Sequence, residues 1–408
     1  MFYTHHFENG LVLLAEPMDA VESAAFSLHV PCGTNNDPED RIGLAEMLCD
    51  MTLRGAGARD SRALIQAIEN LGCERSESVF PAHTVYGAAT LASNLILSLE
   101  ILADIVRRPF LPEEQLEEAR QIAFNEILAV QDDPARLTML ELERNFHPDP
   151  WGRSSIGTTE SIKRITIEDI REQHERFFQP DGAILSLAGR FDWPELLQTV
   201  SRLFSDWTPR KRAETVEREI GSQNVHIFAE TAQTHIGLAY PTVPFSHPDY
   251  LKAWSAVGLL SGGMSSRLFH EIREKRGLCY TVGATYATLP HRGAVFCYCG
   301  TGVERADQSL EVLVAELRRL SEGIDEAELD RLKIRAKSTL VMRQESTAAR
   351  SAALARDWYY LGRLRSMDEI ESSVNRISKA HIDAFLHENP AGPFHIAILG
   401  PKKLTAPF

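Results

Sequence analysis

A chain of 408 residues is long enough for two or more domains with separate cores. Its 44% hydrophobic and 25% charged content is that of an ordinary soluble globular protein. The net charge of −14 leaves no basic excess to offset phosphates, which argues against nucleic-acid binding.

The N-terminus, Met1 to Glu8, has neither a basic n-region nor an apolar h-region, so no secretory signal is expected. Strands are predicted at Leu11 to Ala15 and Ala24 to Val30, rich in Val, Leu and Phe. Helical patterns follow at Arg41 to Arg54 and Ser61 to Leu71, with Asp60-Ser61 available as a cap. A strand returns at Thr84 to Leu91, and a long helical stretch covers Leu95 to Val130, broken at Pro109 and Pro112. Its most apolar part, Leu95 to Val106, is interrupted by Glu100 and Asp104 and is too short to span a bilayer. A helix at Ile167 to Phe178 precedes a closing strand at Ala183 to Ala188. The polar stretch Trp207 to Gln223 reads as an exposed linker. The same order then repeats, with strands at Val225 to Ala229 and His235 to Tyr240 and helices at Tyr250 to Leu260 and Ser265 to Lys275. Strands at Tyr280 to Ala287 and Ala294 to Gly300 lead into long helices from Glu304 to Leu361.

Short identities support a duplication. Ser98-Leu99-Glu100 recurs as Ser309-Leu310-Glu311, Arg107-Arg108 as Arg318-Arg319, and Gly189 after an apolar run as Gly400, all at an offset of 211 residues. Arg164-Ile165-Thr166 and Arg376-Ile377-Ser378 match with a slip of one residue. That period is far too long for a solenoid, so the expectation is two similar α+β domains in tandem. They are placed at residues 1–206 and 224–408, with 207–223 between them.

Six cysteines occur without any C-x-x-C spacing, and Cys297 and Cys299 would share one face of a strand as core thiols. A reducing, cytoplasmic setting is the simplest expectation.

The segment Gly43-Leu44-Ala45-Glu46-Met47-Leu48-Cys49-Asp50-Met51 resembles the zinc helix of the pitrilysin/insulinase peptidases, whose signature is G-x-A-H-x-x-E-H-M. His147-Pro148 through Arg153, then Ile156-Gly157-Thr158, resembles that family's H-P-Y-G-R-P-x-x-G-T. Glu160-Ser161-Ile162 with Ile165-Thr166 matches its E-S-I-x-x-I-T, and Phe178-Gln179-Pro180-Asp181 its Y-R-P-D/N turn. Gly263-Met264-Ser265-Ser266-Arg267-Leu268-Phe269 through Tyr280 is similar to G-M-S-S-R-L-F-x-x-I-R-E-x-x-G-L-x-Y. The ordered set covers nearly the whole chain. The short, mitochondrial-processing-peptidase-like branch fits best, because one chain holds one pair of domains.

The resemblance implies two homologous domains, each a mixed, largely antiparallel sheet packed with long helices. It also implies a lost metal centre. Glu46 and Asp50 stand where the family has histidine ligands, and Cys49 where it has a glutamate base. Imidazoles four apart on a helix suit zinc, and the carboxylate between them takes a proton from metal-bound water. Glu126 matches the third ligand, whereas the supporting glutamate is Ala119. An all-carboxylate site for a hard cation on Glu46, Asp50 and Glu126 is the alternative to a solvated acidic face.

By the same resemblance, Arg273 and Tyr280 are the pair that holds the substrate carbonyl opposite the zinc. Ser261-Gly262-Gly263 lacks the G-K-[ST] of a phosphate loop and instead resembles a flexible segment near bound peptide. The run Ser76 to Pro81 corresponds to the family's peptide-pairing strand, and Pro81 removes one donor from it. The expectation is a subunit with no zinc of its own in a heterodimeric zinc metalloendopeptidase that cleaves peptides or small unfolded polypeptides. The zinc would sit in a homologous partner with an intact H-x-x-E-H, although a homodimer is also compatible. A retired pseudopeptidase that binds peptides or scaffolds a complex is the competing reading.

Overall fold

The computed structural model describes residues 2–211, 215–219 and 224–405. The Gly221-Ser222-Gln223 end of the expected linker lies outside the described residues. In chain order, β1 (Tyr3–His6), β2 (Val12–Pro17) and β3 (Ser23–Val30) lead to α1 (Leu44–Thr52). The two-residue strands β4 (Gly55–Ala56) and β5 (Arg59–Asp60) then precede α2 (Ser61–Asn70). The hairpin β6 (Glu74–Val79) and β7 (Thr84–Leu91) is followed by α3 (Leu95–Arg107), α4 (Leu116–Gln131) and α5 (Pro134–Phe146). Next come α6 (Thr159–Arg164), α7 (Ile167–Phe177), β8 (Ile184–Gly189) and α8 (Trp193–Phe204).

The second half opens with β9 (Val225–Phe228), β10 (Gln233–Thr242) and α9 (Tyr250–Ser261). A hairpin of β11 (Cys279–Thr288) and β12 (Gly293–Gly302) precedes α10 (Ala306–Arg319) and α11 (Glu326–Gln344). The chain continues through α12 (Thr347–Leu361), α13 (Met367–Arg376) and α14 (Lys379–Glu388) to β13 (His395–Gly400).

The two main sheets carry the duplication in their topology. Apart from β1 at its edge, the first runs β2-β8-β3-β7-β6, and the second runs β9-β13-β10-β12-β11. In each, one parallel pair (β2 with β8, β9 with β13) is followed by antiparallel neighbours. Side-chain contacts repeat as well. The Thr90 hydroxyl donates to Leu71 O at 2.9 Å, and the Thr301 hydroxyl donates to Leu278 O at 2.6 Å. Ser98 and Ser309 each donate to the carbonyl four residues earlier.

Contacts gather the chain into two compact units. The first holds residues up to 129, 149–218 and 343–364; the second holds 130–148, 219–342 and those from 365 on. A single cut in the sequence would therefore misplace two helices, α5 and α12.

Each unit has its core on one sheet face. In the first, Leu13, Phe26, Leu28 and Leu185 pack with Leu48 of α1 and Leu99 of α3. In the second, Ile236, Leu238, Cys297 and Cys299 pack with Leu260 of α9 and Leu313 of α10. The opposite faces are also covered. Leu354 and Ala355 of α12 pack on Leu14 and Ile184, and Leu142 of α5 packs on Ala239, Phe296 and Ala397. Small residues allow that approach, since a Cβ at Gly237 would meet Leu142 at 3.2 Å and Thr138 at 3.3 Å. Burial on both faces is why β8 and β13 read as continuous apolar runs instead of alternating.

Candidate functional site

Helix α1 starts at Leu44 and not at Arg41, because Gly43 adopts φ +100 and breaks the pattern there. Gly43 has no side chain to cap the helix, and Asp37 does so from six residues upstream. Its Oδ2 accepts from Gly43 N–H at 2.8 Å and its Oδ1 from Ala45 N–H at 2.9 Å. Burial raises the Asp37 pKa to about 7, against those N–H donors and Arg153, which favour the charged form. Arg153 is itself held by Asp149, with contacts of 2.6 and 2.8 Å.

The zinc-helix positions do not converge on a metal. Glu46 keeps solvent contact, yet most of its carboxyl's surroundings are protein. That desolvation, ahead of repulsion from Glu126 and Asp50, raises its pKa against a hydrogen bond from Ser155. The Asp50 carboxylate is engaged by Arg54 at 2.7 Å on the next turn. Ala119 is buried, 3% exposed.

Cys49 faces the core at 4% exposure, and burial pushes its thiol pKa far above the ordinary value. The Thr52 hydroxyl donates to the Cys49 carbonyl at 2.7 Å, so at 2.9 Å from Tyr86 Oη it must accept. Tyr86 Oη also lies against the Cys49 thiol, and that hydrogen bond only partly offsets the effect of burial on the thiol. A buried thiol packed against Tyr86 and Thr52 has a structural place in the core.

Among the described residues, no group of three or more His, Cys, Asp or Glu side chains is placed to hold a metal ion. With no imidazole at either ligand position, a protonated thiol at the base position and Asp50 paired to Arg54, these side chains do not fit zinc. Nor do Glu46, Asp50 and Glu126 form the carboxylate site considered for a hard cation.

Pro81 does not interrupt the strand expected to pair with peptide. The β6 ladder runs Glu74 to Val79 against Ala89 to Thr84, and Pro81 lies beyond it in the turn. There the carbonyls of Phe80 and Pro81 accept from Thr34 and Asn35 N–H at 3.1 and 2.9 Å. β6 is the terminal strand of its sheet, so the proline removes no donor from the edge.

Arg273 and Tyr280 are brought together. Arg273 lies in a π-helical turn, Phe269–Glu274, and Tyr280 is near the start of β11, the terminal strand of the second sheet. Gly277 at φ +58 ends the turn, with its N–H on Arg273 O at 3.1 Å and the Leu278 N–H on Ile272 O at 2.9 Å. The chain reverses there, and the Arg273 guanidinium lies over two rings, 4.8 Å from Phe269 and 5.1 Å from Tyr280. Among the described residues, no carboxylate pairs with Arg273. Tyr280 is 76% exposed. An accessible phenol beside a fixed cation is suited to a carbonyl oxygen that gains negative charge. The neighbouring Cys279 thiol is made more acidic by a hydrogen bond from Cys299, with Arg273 adding to the effect against partial burial.

Gly262 closes α9 and Gly263 follows at φ +150, where its carbonyl accepts from the Ser266 hydroxyl at 2.6 Å. Arg267 is a brace, bidentate to Glu328 at 2.9 and 2.8 Å. Sequence reasoning missed Asp37, Ser155 and Tyr86. Asp37 gives no periodic signal; its only cue is an acidic residue ahead of a glycine that cannot cap its own helix.

No helix among the described residues is long and apolar enough to cross a membrane. The profile of Insulinase (Peptidase family M16) matches residues 12–159, and that of the Peptidase M16 inactive domain matches 164–335. An uncharacterized zinc protease of Rickettsia felis is 26% identical over 405 residues, 99% of this chain and 98% of its own length. A peptidase M16 inactive domain from Pseudomonas fluorescens shares the fold, with a TM-score of 0.90, 20% identity and full coverage of both chains. A protease from Helicobacter pylori aligns with a TM-score of 0.90 at 19% identity, over 98% of this chain and 99% of the other. With two family profiles in tandem over the duplicated halves, the chain belongs to the M16 pitrilysin/insulinase family of zinc metallopeptidases, as a member whose zinc helix has lost its imidazole ligands.

Proposed function

We propose that this chain is the subunit without zinc in a two-chain metalloendopeptidase. It contributes Arg273 and Tyr280 to the substrate carbonyl, while a homologous partner with an intact H-x-x-E-H supplies the metal as Lewis acid. The substrates are peptides or small unfolded polypeptides. One observation carries this reading: Arg273 over the ring of an exposed Tyr280 persists in a chain whose own α1 face does not fit zinc. Arg273 is held in place by rings and not by a carboxylate, which leaves its charge available to a ligand. The unbridged cysteines support a reducing, cytoplasmic setting.

The test is to co-express the chain with an M16 subunit bearing H-x-x-E-H and to assay peptide cleavage by each chain and by the complex. Cleavage by the complex alone is expected, with Tyr280→Phe reducing kcat by about a hundredfold, as for the loss of one oxyanion donor. A complex that forms but cleaves equally well with Tyr280→Phe and Arg273→Ala contradicts the catalytic contribution and leaves the scaffold reading standing.

A further inference from the structure

Arg331 and Arg335 stand one turn apart on α11 and project from the same face. Both line an open pocket of about 90 Å³ in the second unit, together with Gly262, Ser265, Ser266 and Glu328. Glu328 is the only carboxylate in that wall, and it is already occupied. Arg267 takes both of its oxygens, and the Asp325 N–H donates to one of them at 2.9 Å. Among the described residues, neither Arg331 nor Arg335 makes a hydrogen bond or an ion pair. Arg331 feels the nearby Glu328 carboxylate through space but is not bonded to it, so two cations without a direct partner share one concavity on a chain of net charge −14.

The backbone is shaped around one of them. A Cβ at Gly262 would collide with both terminal nitrogens of Arg335, and one of those nitrogens lies 3.7 Å from where a Cβ at Gly258 would stand. The Gly258 carbonyl oxygen lies equally close to the Cβ point at 262, so the end of α9 itself requires glycine there, and its missing side chain leaves the room in which the guanidinium rests. Ser265, an exposed residue, lines the same pocket.

We infer that Arg331 and Arg335 form a binding site for a peptide carboxylate beside the glycine-rich turn. Guanidinium forks match a carboxylate in geometry and charge, and Ser265 adds a third donor. Resting on the proposed role in peptide cleavage, the site anchors substrate through an Asp or Glu side chain or through a C-terminal carboxylate. Elsewhere the chain's negative charge repels such ligands. The competing reading, Arg335 as a cation at the C-terminus of α9, needs one arginine, not two. It would lower stability on substitution without affecting ligand choice.

The test is calorimetric titration of the full chain alone, so it does not depend on a partner or on catalysis. Three octapeptides of otherwise equal sequence serve as probes. One has two glutamates and an amidated C-terminus, one has glutamines and a free C-terminus, and one has glutamines and an amidated C-terminus. One of the first two should bind about tenfold or more tighter than the third, and which does so identifies the source of the carboxylate. That preference should fall below about twofold in Arg331→Gln and in Arg335→Gln, with the urea midpoint kept. Equal affinities, no binding by any peptide at about 1 mM, or a preference that survives both substitutions overturns the site. If the site holds while no complex with an H-x-x-E-H subunit forms, the subunit reading fails and the carboxylate site stands.

Discussion

Arg273 and Tyr280, seven residues apart, are joined by a stack in which the guanidinium carbon lies 5.1 Å from the phenol centroid. The same guanidinium carbon lies 4.8 Å from the Phe269 centroid. Each such contact contributes about 0.5–1 kcal/mol at a partly exposed site. The stack therefore orients the cation more than it stabilises the fold. Phe269→Leu is expected to lower kcat of the two-chain complex by about two- to fivefold, the equivalent of one lost contact of this size. Steady-state kinetics on complexes isolated by gel filtration check this, and an unchanged kcat would show that the stack does not position Arg273.

Asp37 ties the turn before α1 to the helix start through two buried backbone donors. Asp37→Ala leaves both N–H groups without an acceptor and should lower stability by about 1–3 kcal/mol. Asp37→Asn retains one acceptor and should cost less. Urea unfolding of the two variants decides this, and equal stability of wild type and Asp37→Ala would remove Asp37 as the cap.

Thiol chemistry should separate the cysteines. Cys49 and Cys297 are buried and their thiols are pushed up in pKa, whereas Cys279 is partly exposed and shifted down. Brief iodoacetamide treatment of the folded chain at neutral pH is expected to alkylate Cys279 and spare Cys49 and Cys297. Rapid modification of Cys49, read by peptide mass spectrometry, would contradict its place in the core against Tyr86 and Thr52.

Acid should destabilise the chain. His29 and His83 stack at 4.7 Å, and burial lowers their pKa values to about 3 and about 4, with the His83 charge adding to the lowering of His29. Burial likewise lowers His147 to about 4. Below pH 6.5 the unfolded chain takes up protons that these native imidazoles refuse, so their stabilisation is complete above 6.5 and is lost towards pH 4. Asp37 acts oppositely, because its native carboxyl keeps a proton up to about 7. Glu46, Glu143 and Glu316, raised by burial, act with Asp37. His174, His235 and His395, lowered by burial, act with the other three imidazoles, so six imidazoles stand against four carboxyls. His83→Phe, which fits against Phe80 and Tyr359, should flatten the decline between pH 6.5 and 4 by up to about 1.4 kcal/mol per pH unit. An unchanged slope in urea titrations at several pH values would assign the acid sensitivity elsewhere.

The duplicated order was legible because the apolar strand runs and the repeated Ser, Arg and Gly positions survive in both halves. The Arg273–Tyr280 pair was legible for a similar reason, as its motif stands unbroken around Gly277. β6 was read only by analogy. As an edge strand with most side chains exposed, its Glu74-Arg75-Ser76-Glu77-Ser78-Val79 sequence carries no apolar alternation. α5 escaped notice although Asp133-Pro134 is a strong helix start, with Asp133 accepting from Arg136 N–H at 3.1 Å. That α5 belongs to the second unit and α12 to the first is set by tertiary packing on the second face of each sheet, and no local pattern encodes it. The π-helical turn under Arg273 was likewise invisible, since an extra residue in one turn leaves the helical spacing almost intact.

Zinc content and cleavage measured together on the purified chain, its purified H-x-x-E-H companion and their complex test the division of roles most directly. One zinc per complex, carried by the companion, with turnover confined to the complex and lost on Tyr280→Phe, is the expected result. Stoichiometric zinc and full peptide turnover in this chain alone would contradict it.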